Sequence, residues 1–314
     1  MKLSQELMVN LSEITSKSAV ACYPHIGKNE KILADKAATD IMRDKLNKLY
    51  INGEVVIGEG ELDEAPMLYI GEKLGKADEP KIDIAVDPVE GTNFVAKNLP
   101  GSMSVLAVSN KGDLFNAPET YMDKIAVGSH IPRDVIDLDF TVEKNIRNYS
   151  DATNKKISDI RVCILDRPRH KKIINELNRL KVNIKLITDG DVSGALLVSD
   201  KKFKVDIFMG IGGGPEGVIA AAALSTLNCH FQGRFLFETD NDKHRATKMG
   251  INNLNKKYEI NEIIKGESIF CATGITQGEL VEGVLQKKDK LITETIFTYK
   301  KSILESVKKE FSHT

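Results

Sequence analysis

Two carboxylates and a hydroxyl lie close together after one apolar run, and their types and spacing suit metal-assisted chemistry. Over residues 82–86 apolar side chains recur at alternate positions, which predicts a β-strand with one buried face. We expect this strand to end at Pro88, which has no N–H for a ladder. Asp87, Glu90 and Thr92 then crowd its end. Two carboxylates this close repel each other without a cation, so the segment favours a hard metal ion; the alternative is an ordinary acidic turn.

A second group of acids follows another apolar run. The segment EVVIG, residues 54–58, predicts a strand, and Glu59 comes directly after it, where ligand groups gather in sheet proteins. Glu61 lies in the same acidic stretch. The alternatives are a solvated loop, or acids that favour the N-terminus of a helix predicted over residues 66–74.

One carboxylate lies on the predicted apolar face of a long helix, residues 30–49. Plotted at about 100° per residue, one stripe of this helix consists of Ala38, Met42, Leu46 and Leu49. Asp35 falls in the middle of that stripe, where burial is costly unless the carboxylate is paired or bound to metal. The alternative is a core face rotated toward Ala34, Ala37 and Ile41, which leaves Asp35 solvated.

From residue 161 onward, strands alternate with helices. Predicted strands cover residues 161–166, 183–187 and 205–211, and each is followed by a helix. This repeated unit predicts a parallel sheet whose loops, at the carboxyl ends of the strands, carry a site. The loops contain an arginine pair, an aspartate pair and a glycine run: Arg167 and Arg169, Asp189 and Asp191, and Gly212, Gly213 and Gly214.

The glycine run opens a helix and matches no common nucleotide motif. The string GIGGGPEG, residues 210–217, lacks the Lys-Ser/Thr of a Walker A motif and does not fit GxGxxG. Its backbone N–H groups could hold an anion, whereas Glu216 alone is explained as a favourable acid in a first helical turn. Arg167 and Arg169 have the geometry to grip a phosphate; the alternative is a pair of solvated cations. His170 alone favours a structural or surface role.

The composition indicates a globular protein without a charged bias. Of 314 residues 41% are hydrophobic and 28% charged, and the net charge is −1, which predicts no general attraction to nucleic acid or membrane. No apolar run approaches the roughly 20 residues that cross a bilayer, and the amphipathic N-terminal segment has no signal-peptide core. The four cysteines show no metal-binding spacing, which favours buried free thiols in a reducing cytoplasm.

The element pattern predicts an α/β protein of two domains. Residues 1–158 are expected to form an α+β domain with a mixed sheet that binds metal. Residues 159–314 are expected to form an α/β domain with a mostly parallel sheet that binds substrate. The last predicted strand, residues 291–299, and a basic terminal helix are able to pack back on the first domain. We expect the boundary near residues 155–160, at the end of the polar, irregular stretch 129–160.

Longer strings resemble a known enzyme family. DPVEGT, residues 87–92, is similar to the Asp-Pro-x-(Asp/Glu)-Gly-Thr motif of the lithium-sensitive phosphatase superfamily, which includes inositol monophosphatases and fructose bisphosphatases. The strings VVIGEGELDEAPMLYIGEKLG, NAPETYMDKIAVG, TDGDV, GIGGGPEGV and FCATGITQGELVEGV resemble the class II fructose-1,6-bisphosphatases of bacteria. The resemblance covers roughly residues 5–300, and Arg167 stands where members of that family tend to carry lysine.

The resemblance implies a sugar-phosphatase-like fold, a layered αβαβα sandwich, with Mn²⁺ or Mg²⁺ and a homo-oligomer, either dimer or tetramer. The metal ligands that it implies are Asp35, Glu59, Asp87, Glu90 and Glu216. The substrate contacts that it implies are Glu90, Gly91, Thr92, Tyr121, Arg167, Pro168, Arg169, Asp189, Gly190, Asp191 and Gly213. Lys31 and Glu61 match positions near the site, and we assign them catalytic roles together with Thr92.

The activity implied is metal-dependent hydrolysis of fructose 1,6-bisphosphate to fructose 6-phosphate and inorganic phosphate, in gluconeogenesis and glycerol metabolism. The divalent metal and Thr92 would activate the attacking water. The alternatives are a sedoheptulose bisphosphatase or inositol-phosphate phosphatase of the same superfamily, and a silent regulator that binds metal or sugar phosphate. A nucleotide-dependent oxidoreductase lacks support, since no dinucleotide fingerprint is present. The predicted partner is a small sugar bisphosphate, with neither nucleic acid nor membrane.

Overall fold

The computed structural model describes residues 3–58, 67–300 and 303–312. Within that part of the chain, two compact units are present. Unit 1 contains Met1–Phe115 and Ile264–Thr314, as far as they are described, and unit 2 contains Asn116–Ile263.

In chain order, the described helices are α1 (Gln5–Cys22), α2 (Lys31–Leu46), α3 (Thr92–Lys97), α4 (Val142–Thr153), α5 (Lys171–Arg179), α6 (Asp191–Leu196), α7 (Gly214–Thr226), α8 (Asp240–Lys248) and α9 (Ile260–Ile263). The described strands are β1 (Asn52–Ile57), β2 (Lys73–Leu74), β3 (Lys81–Glu90), β4 (Met103–Asn110), β5 (Tyr121–Val127), β6 (Arg161–Leu165), β7 (Asn183–Ile187), β8 (Ile207–Gly213), β9 (His230–Leu236), β10 (Lys257–Glu259), β11 (Ser268–Gly274), β12 (Leu285–Lys287), β13 (Lys290–Thr298) and β14 (Glu305–Ser312).

Unit 1 is built on a sheet of eight described strands in the order β12-β13-β11-β4-β3-β1-β2, with β14 paired to β13. β3 lies near its centre, parallel to β1 and antiparallel to β4. Ser4 is the N-cap of α1, and its side chain accepts a hydrogen bond from the Leu7 N–H of the first turn. The apolar face of α1, with Leu7, Leu11 and Ile14, buries against sheet residues such as Ile84. The sheet and α1 therefore form the core that supports β3.

Unit 2 is built on a sheet in the order β10-β9-β5-β8-β6-β7. β6 pairs in parallel with β7 and β8, as the repeated strand–helix units predicted. β5, however, enters between β8 and β9 and is antiparallel to both. The mixed α/β class is confirmed, while parallel pairing in the described part of this sheet is limited to β6 and its two neighbours.

The units divide at positions other than the boundary placed near residue 158. β5 pairs on both sides within unit 2, so the chain joins that unit from Asn116. It returns to unit 1 at Ile264, after which β11 pairs with β4 and β13 pairs with β11. Polar composition over residues 129–160 suggested a linker, but strand pairing across long stretches of chain decides the units instead.

Two local predictions are wrong. The segment predicted as a terminal helix contains β14, in which partly buried and exposed residues alternate. Val307 and Phe311 lie on the partly buried side, which is the two-residue period of a strand. In the predicted helix 66–74, the described residues contain β2 and no helix.

The prediction of buried free thiols is confirmed at Cys22, Cys163, Cys229 and Cys271. In the described ranges, no helix is both long and apolar enough to cross a membrane.

Candidate active site

The acidic motif of unit 1 lies on a β-bulge. β3 continues through Pro88 to Glu90, so the prediction that the strand ends at Pro88 is wrong. Asp87 lies opposite Val105 of β4, and Glu90 lies opposite Met103, so three steps along β3 match two along β4. The extra residue accommodates a proline that has no N–H to donate. It also breaks the strict alternation of faces, which is how bulges re-aim side chains next to active sites.

Both carboxylates of this motif are carried by the sheet rather than by a solvated turn. Glu90 is only 3% exposed, and the Ser102 hydroxyl donates to its backbone carbonyl at 2.8 Å. Asp87 is partly buried, and its Oδ1 accepts from the Val89 N–H at 3.1 Å. The bulge therefore fixes the backbone at both acids.

Gly91 and Thr92 convert the end of β3 into the start of α3. Gly91 has φ 77°, in the left-handed region, and is the N-cap residue of the helix. A Cβ there would also lie 3.0 Å from the Phe94 ring. Thr92, the first helical residue, is half-buried directly after the bulge. Thr92 therefore follows Glu90 by two positions in the chain, and ordered backbone fixes both residues.

α2 carries Asp35 and Lys31 and packs against β3 and α3. The buried residues of α2 are Ala34, Ala38, Thr39, Met42 and Leu46. The predicted stripe is therefore confirmed at Ala38, Met42 and Leu46, whereas Leu49 lies beyond the end of α2. Ala34, from the alternative face, is buried too, and Asp35 beside it is half-buried. Burial, and then the Asp35 charge, raise the pKa of the Cys22 thiol, so this carboxylate lies beside the core. Lys31 is exposed one turn earlier on the same side.

Glu59 and Glu61 lie outside the described residues. Their assigned roles, in metal binding and in catalysis, stay predictions.

In unit 2, the glycine run makes room for two carboxylates. β8 ends at Gly213, and Glu216 lies in the first turn of α7. A Cβ at Gly212 would lie 2.1 Å from Asp191 Oδ2, and a Cβ at Gly213 would lie 1.7 Å from Glu216 Oε2. The sequence interpretation, an anion-holding loop, did not include this function. The glycines allow the two carboxylates to approach the backbone of β8.

A buried lysine joins these elements. Asp191, 8% exposed, opens α6 after Gly190, which has φ 83° and repeats the left-handed glycine of the other unit. Lys124 on β5 is 1% exposed and donates to Asp191 Oδ2 and, at 2.7 Å, to the Gly213 carbonyl. Burial raises the pKa of Glu216; the Lys124 charge opposes this shift, and the Asp191 charge adds to it. The carboxyls of Glu216 and Asp191 and the Lys124 ammonium are thus close enough to interact electrostatically at the start of α7.

Two arginines, Arg167 and Arg169, follow the carboxyl end of β6. The Arg169 guanidinium lies 4.7 Å from the centroid of the Tyr121 ring, and its Nε donates to a β8 carbonyl at 2.9 Å. Arg167 pairs with Asp189 at 3.6 Å. Pro168, exposed, begins a short 3₁₀ turn between the arginines. Both cations are accessible to solvent, so they could bind a phosphate.

The donors fit a hard divalent cation, although they form no complete site in the described residues. Within residues 3–58, 67–300 and 303–312, no group of three or more His, Cys, Asp or Glu side chains is placed to hold a metal ion. The five acids implied by the resemblance are divided between the units, and Glu59 lies outside the described part. All are carboxylates, the donors that Mg²⁺ and Mn²⁺ prefer. Glu216 and Asp191 are close enough to repel each other electrostatically, and a bound cation would reduce that repulsion.

Comparison with known proteins decides the family. A family model described as bacterial fructose-1,6-bisphosphatase, glpX-encoded, matches residues 5–310. The chain belongs to this family. Fructose-1,6-bisphosphatase 1 class 2 of Escherichia coli is 40% identical over 314 residues, covering 96% of this chain and 93% of the relative. A Synechocystis sp. protein named D-fructose 1,6-bisphosphatase class 2/sedoheptulose 1,7-bisphosphatase is 41% identical over 307 residues, covering 90% and 89%.

The family predicted from the motifs is thus confirmed, and membership in the glpX-encoded family implies dependence on a divalent metal ion. Two solved structures show a partial likeness. An extragenic suppressor from Pyrococcus furiosus has TM-score 0.33 and 15% identity, covering 62% of this chain and 70% of that chain. Inositol monophosphatase from Anabaena (Nostoc) sp. has TM-score 0.35 and 13% identity, covering 61% and 69%. TM-scores this low support no conclusion.

Two basic side chains of unit 2, those of Lys124 and His170, are buried. Lys124 was not singled out from the sequence, although it shares one face of the strand MDKIAV with the apolar Met122 and Ala126, which was the available signal. His170 is fully buried, and the Ile211 N–H donates to its Nε2 at 2.7 Å. Its Nδ1 therefore carries the proton and donates to the Leu165 carbonyl at 2.7 Å. The predicted structural role of His170 is confirmed, since the ring joins β6 to β8.

Burial of the His170 imidazole should make the free energy of unfolding depend on pH. Burial lowers the pKa of His170 below its ordinary value of 6.5, so the unfolded chain binds more protons between those two pKa values. The free energy of unfolding contributed by neutral His170 is then complete above about pH 6.5 and lost as pH falls through the lowered pKa. Urea unfolding between about pH 7.5 and pH 5 should show a smaller acid loss for His170→Gln than for wild type.

His244→Gln is the matched control, because His244 is exposed on α8. It should keep the wild-type pH slope. If the free energy of unfolding falls equally with pH in His170→Gln and wild type, the assignment of His170 as a buried neutral imidazole is contradicted.

Proposed function

We propose that this protein hydrolyses fructose 1,6-bisphosphate to fructose 6-phosphate and inorganic phosphate, in gluconeogenesis. The observation that carries the proposal is the bulge that presents Asp87 and Glu90 directly before Gly91 and Thr92, in a chain matched to the bisphosphatase family over residues 5–310. In the reaction a water oxygen attacks phosphorus, the bond from phosphorus to the oxygen of carbon 1 breaks, and that oxygen gains a proton.

The metal would be held by Asp35, Glu59, Asp87, Glu90 and Glu216. A Mn²⁺ or Mg²⁺ ion bound there supplies positive charge to phosphate oxygens and lowers the pKa of a bound water. Support comes from the carboxylate chemistry of this set, which suits a hard divalent cation.

The remaining residues bind and orient the reactants. Thr92 would position the attacking water, and its hydroxyl would pass a proton to a neighbouring carboxylate. Lys31 and Glu61 would have catalytic roles together with Thr92. Arg167 and Arg169 would bind a phosphate by hydrogen-bonded ion pairs, as their solvent-accessible position allows.

Further residues are proposed to contact the substrate. Asp189 and Asp191 would accept hydrogen bonds from sugar hydroxyls, and Glu90 and Gly91 would contact the same substrate. The other contacts proposed are Tyr121, Pro168, Gly190 and Gly213.

Phosphate release tests this function. We expect wild-type protein to release phosphate from fructose 1,6-bisphosphate with Mn²⁺ or Mg²⁺, and faster than from inositol 1-phosphate. EDTA should abolish release, because the uncatalysed hydrolysis of phosphate monoesters is among the slowest known reactions. Release that is unchanged by EDTA, or absent with every metal, would overturn the proposal.

Sedoheptulose 1,7-bisphosphate is a second candidate substrate, favoured by the double name of the Synechocystis relative. The same assay compares kcat/KM for the two bisphosphates. The choice between Mn²⁺ and Mg²⁺, the cytoplasmic location and the homo-oligomer remain predictions.

A further inference from the structure

Lys124 links the first turns of two helices in unit 2. Its ammonium group donates to Asp191 Oδ2 at the start of α6 and to the Gly213 carbonyl immediately before α7. The lysine itself comes from β5, so three elements meet at one buried charge. Such a contact fixes where a carboxylate points far better than a solvated ion pair, because few other arrangements satisfy the buried groups.

The Lys124 ammonium group donates to Oδ2 of Asp191, and the other carboxylate oxygen, Oδ1, takes no part in this contact. Asp191 Oδ1 is buried and accepts no hydrogen bond from the described residues. A buried acceptor without a donor is costly, so such atoms in a native site point to a missing partner. The hydroxyl groups of a sugar are donors that would satisfy it.

Two glycines leave space for the side chains of Lys124 and Asp191. A Cβ at Gly217, on α7, would lie 3.2 Å from Lys124 Cδ and 2.6 Å from Met122 Sδ. Gly217 therefore gives the lysine stem its passage between β5 and α7. Asp191 has a matching clearance, because a Cβ at Gly212 would meet its Oδ2.

We propose that Lys124 is a positioning residue for substrate: it holds Asp191 Oδ2 so that Oδ1 is presented to a sugar hydroxyl of the bisphosphate and of its product. This inference rests on the proposed function. Lys124 itself contacts neither the substrate nor the reacting phosphorus, so its loss should affect binding more than the chemical step.

Lys124→Met tests the inference in the full-length protein. Calorimetric titration with fructose 6-phosphate in the presence of Mn²⁺ measures binding without turnover, and steady-state kinetics on fructose 1,6-bisphosphate separate KM from kcat. We expect product affinity to fall at least about tenfold, the effect of one hydrogen bond to an ionised group. KM should rise by a similar factor, and kcat should change less than KM. Product affinity and KM within about twofold of wild type, or a loss confined to kcat, would overturn it.

The chain offers a matched pair of variants that retain the lysine. Gly217→Ala crowds Lys124 Cδ and Met122 Sδ, whereas Gly233→Ala places a Cβ 2.6 Å from the same sulfur, and its nearest atoms do not include Lys124. We expect Gly217→Ala to raise KM and Gly233→Ala to leave KM near wild type. Equal KM values for the two would overturn the inference even if Lys124→Met failed to fold.

Wild-type protein separates the two levels of the proposal. If it neither hydrolyses fructose 1,6-bisphosphate nor binds fructose 6-phosphate, the proposed function fails, and the role of Lys124 fails with it. If it does both while the Lys124 and Gly217 variants match it, only the role of Lys124 fails.

Discussion

Thr92→Ala is expected to lower kcat for fructose 1,6-bisphosphate by about 10²–10⁴-fold, the range for a group that assists proton transfer. The fold should survive, because Gly91 and not Thr92 is the N-cap of α3, and alanine is a good helix former. We expect the free energy of unfolding to change by about 0.5 kcal/mol or less. Phosphate release and urea unfolding, measured on the same preparation with Mn²⁺, check both statements.

Thr92→Ser is the matched control, because it keeps the hydroxyl and removes only a methyl group. It should retain most of the activity. A Thr92→Ala protein that turns over at the wild-type rate would remove Thr92 from the mechanism, and equal losses in Ala and Ser would point to packing instead.

Gly213→Ala is expected to lower kcat/KM by about 100-fold or more. Loss of a residue that supports a metal ligand typically costs about 10–100-fold in activity, and here the proposed ligand itself is displaced. The new Cβ would lie 1.7 Å from Glu216 Oε2, so the carboxylate must move. Because that atom is the far end of a flexible side chain, the fold should lose no more than about 1–3 kcal/mol of stability. Mn²⁺ titration should show weaker binding together with the loss of phosphate release.

Gly214→Ala provides the comparison. Its Cβ would meet the Phe235 ring at 2.9 Å and the Thr120 carbonyl at 3.1 Å, away from the carboxylates. This variant should be destabilised while the folded molecules remain active. A Gly213→Ala protein with wild-type Mn²⁺ affinity and kcat/KM would show that the position of the Glu216 carboxylate does not matter.

Much of the site could be predicted because its signals are local. The motif at Asp87, Glu90 and Thr92 is contiguous, so residue type and spacing alone indicated metal-assisted chemistry. The strand–helix units that carry Asp189 and Glu216 were visible for the same reason: each period is read over one short segment. His170 was interpreted as structural, and its hydrogen bonds to β6 and β8 agree.

Features that depend on distant partners were missed. The bulge at Pro88 exists because β3 must keep its pairing with β4 beyond a residue that cannot donate. The terminal strand β14 forms because β13 offers it a partner; its charged residues alone suggested a helix. The pairing of Lys124 was missed, since its partner Asp191 is 67 residues away along the chain.

By itself, therefore, the sequence determined the family, the chemical character of the acids and most of the individual strands and helices. The tertiary structure decided that β5 belongs to unit 2, that Gly212 and Gly213 make room for carboxylates, and that one buried lysine orients Asp191. The physical reason is that residue type and periodicity are properties of neighbouring residues. Burial, clearance and charge pairing depend on segments that meet only when the chain is folded.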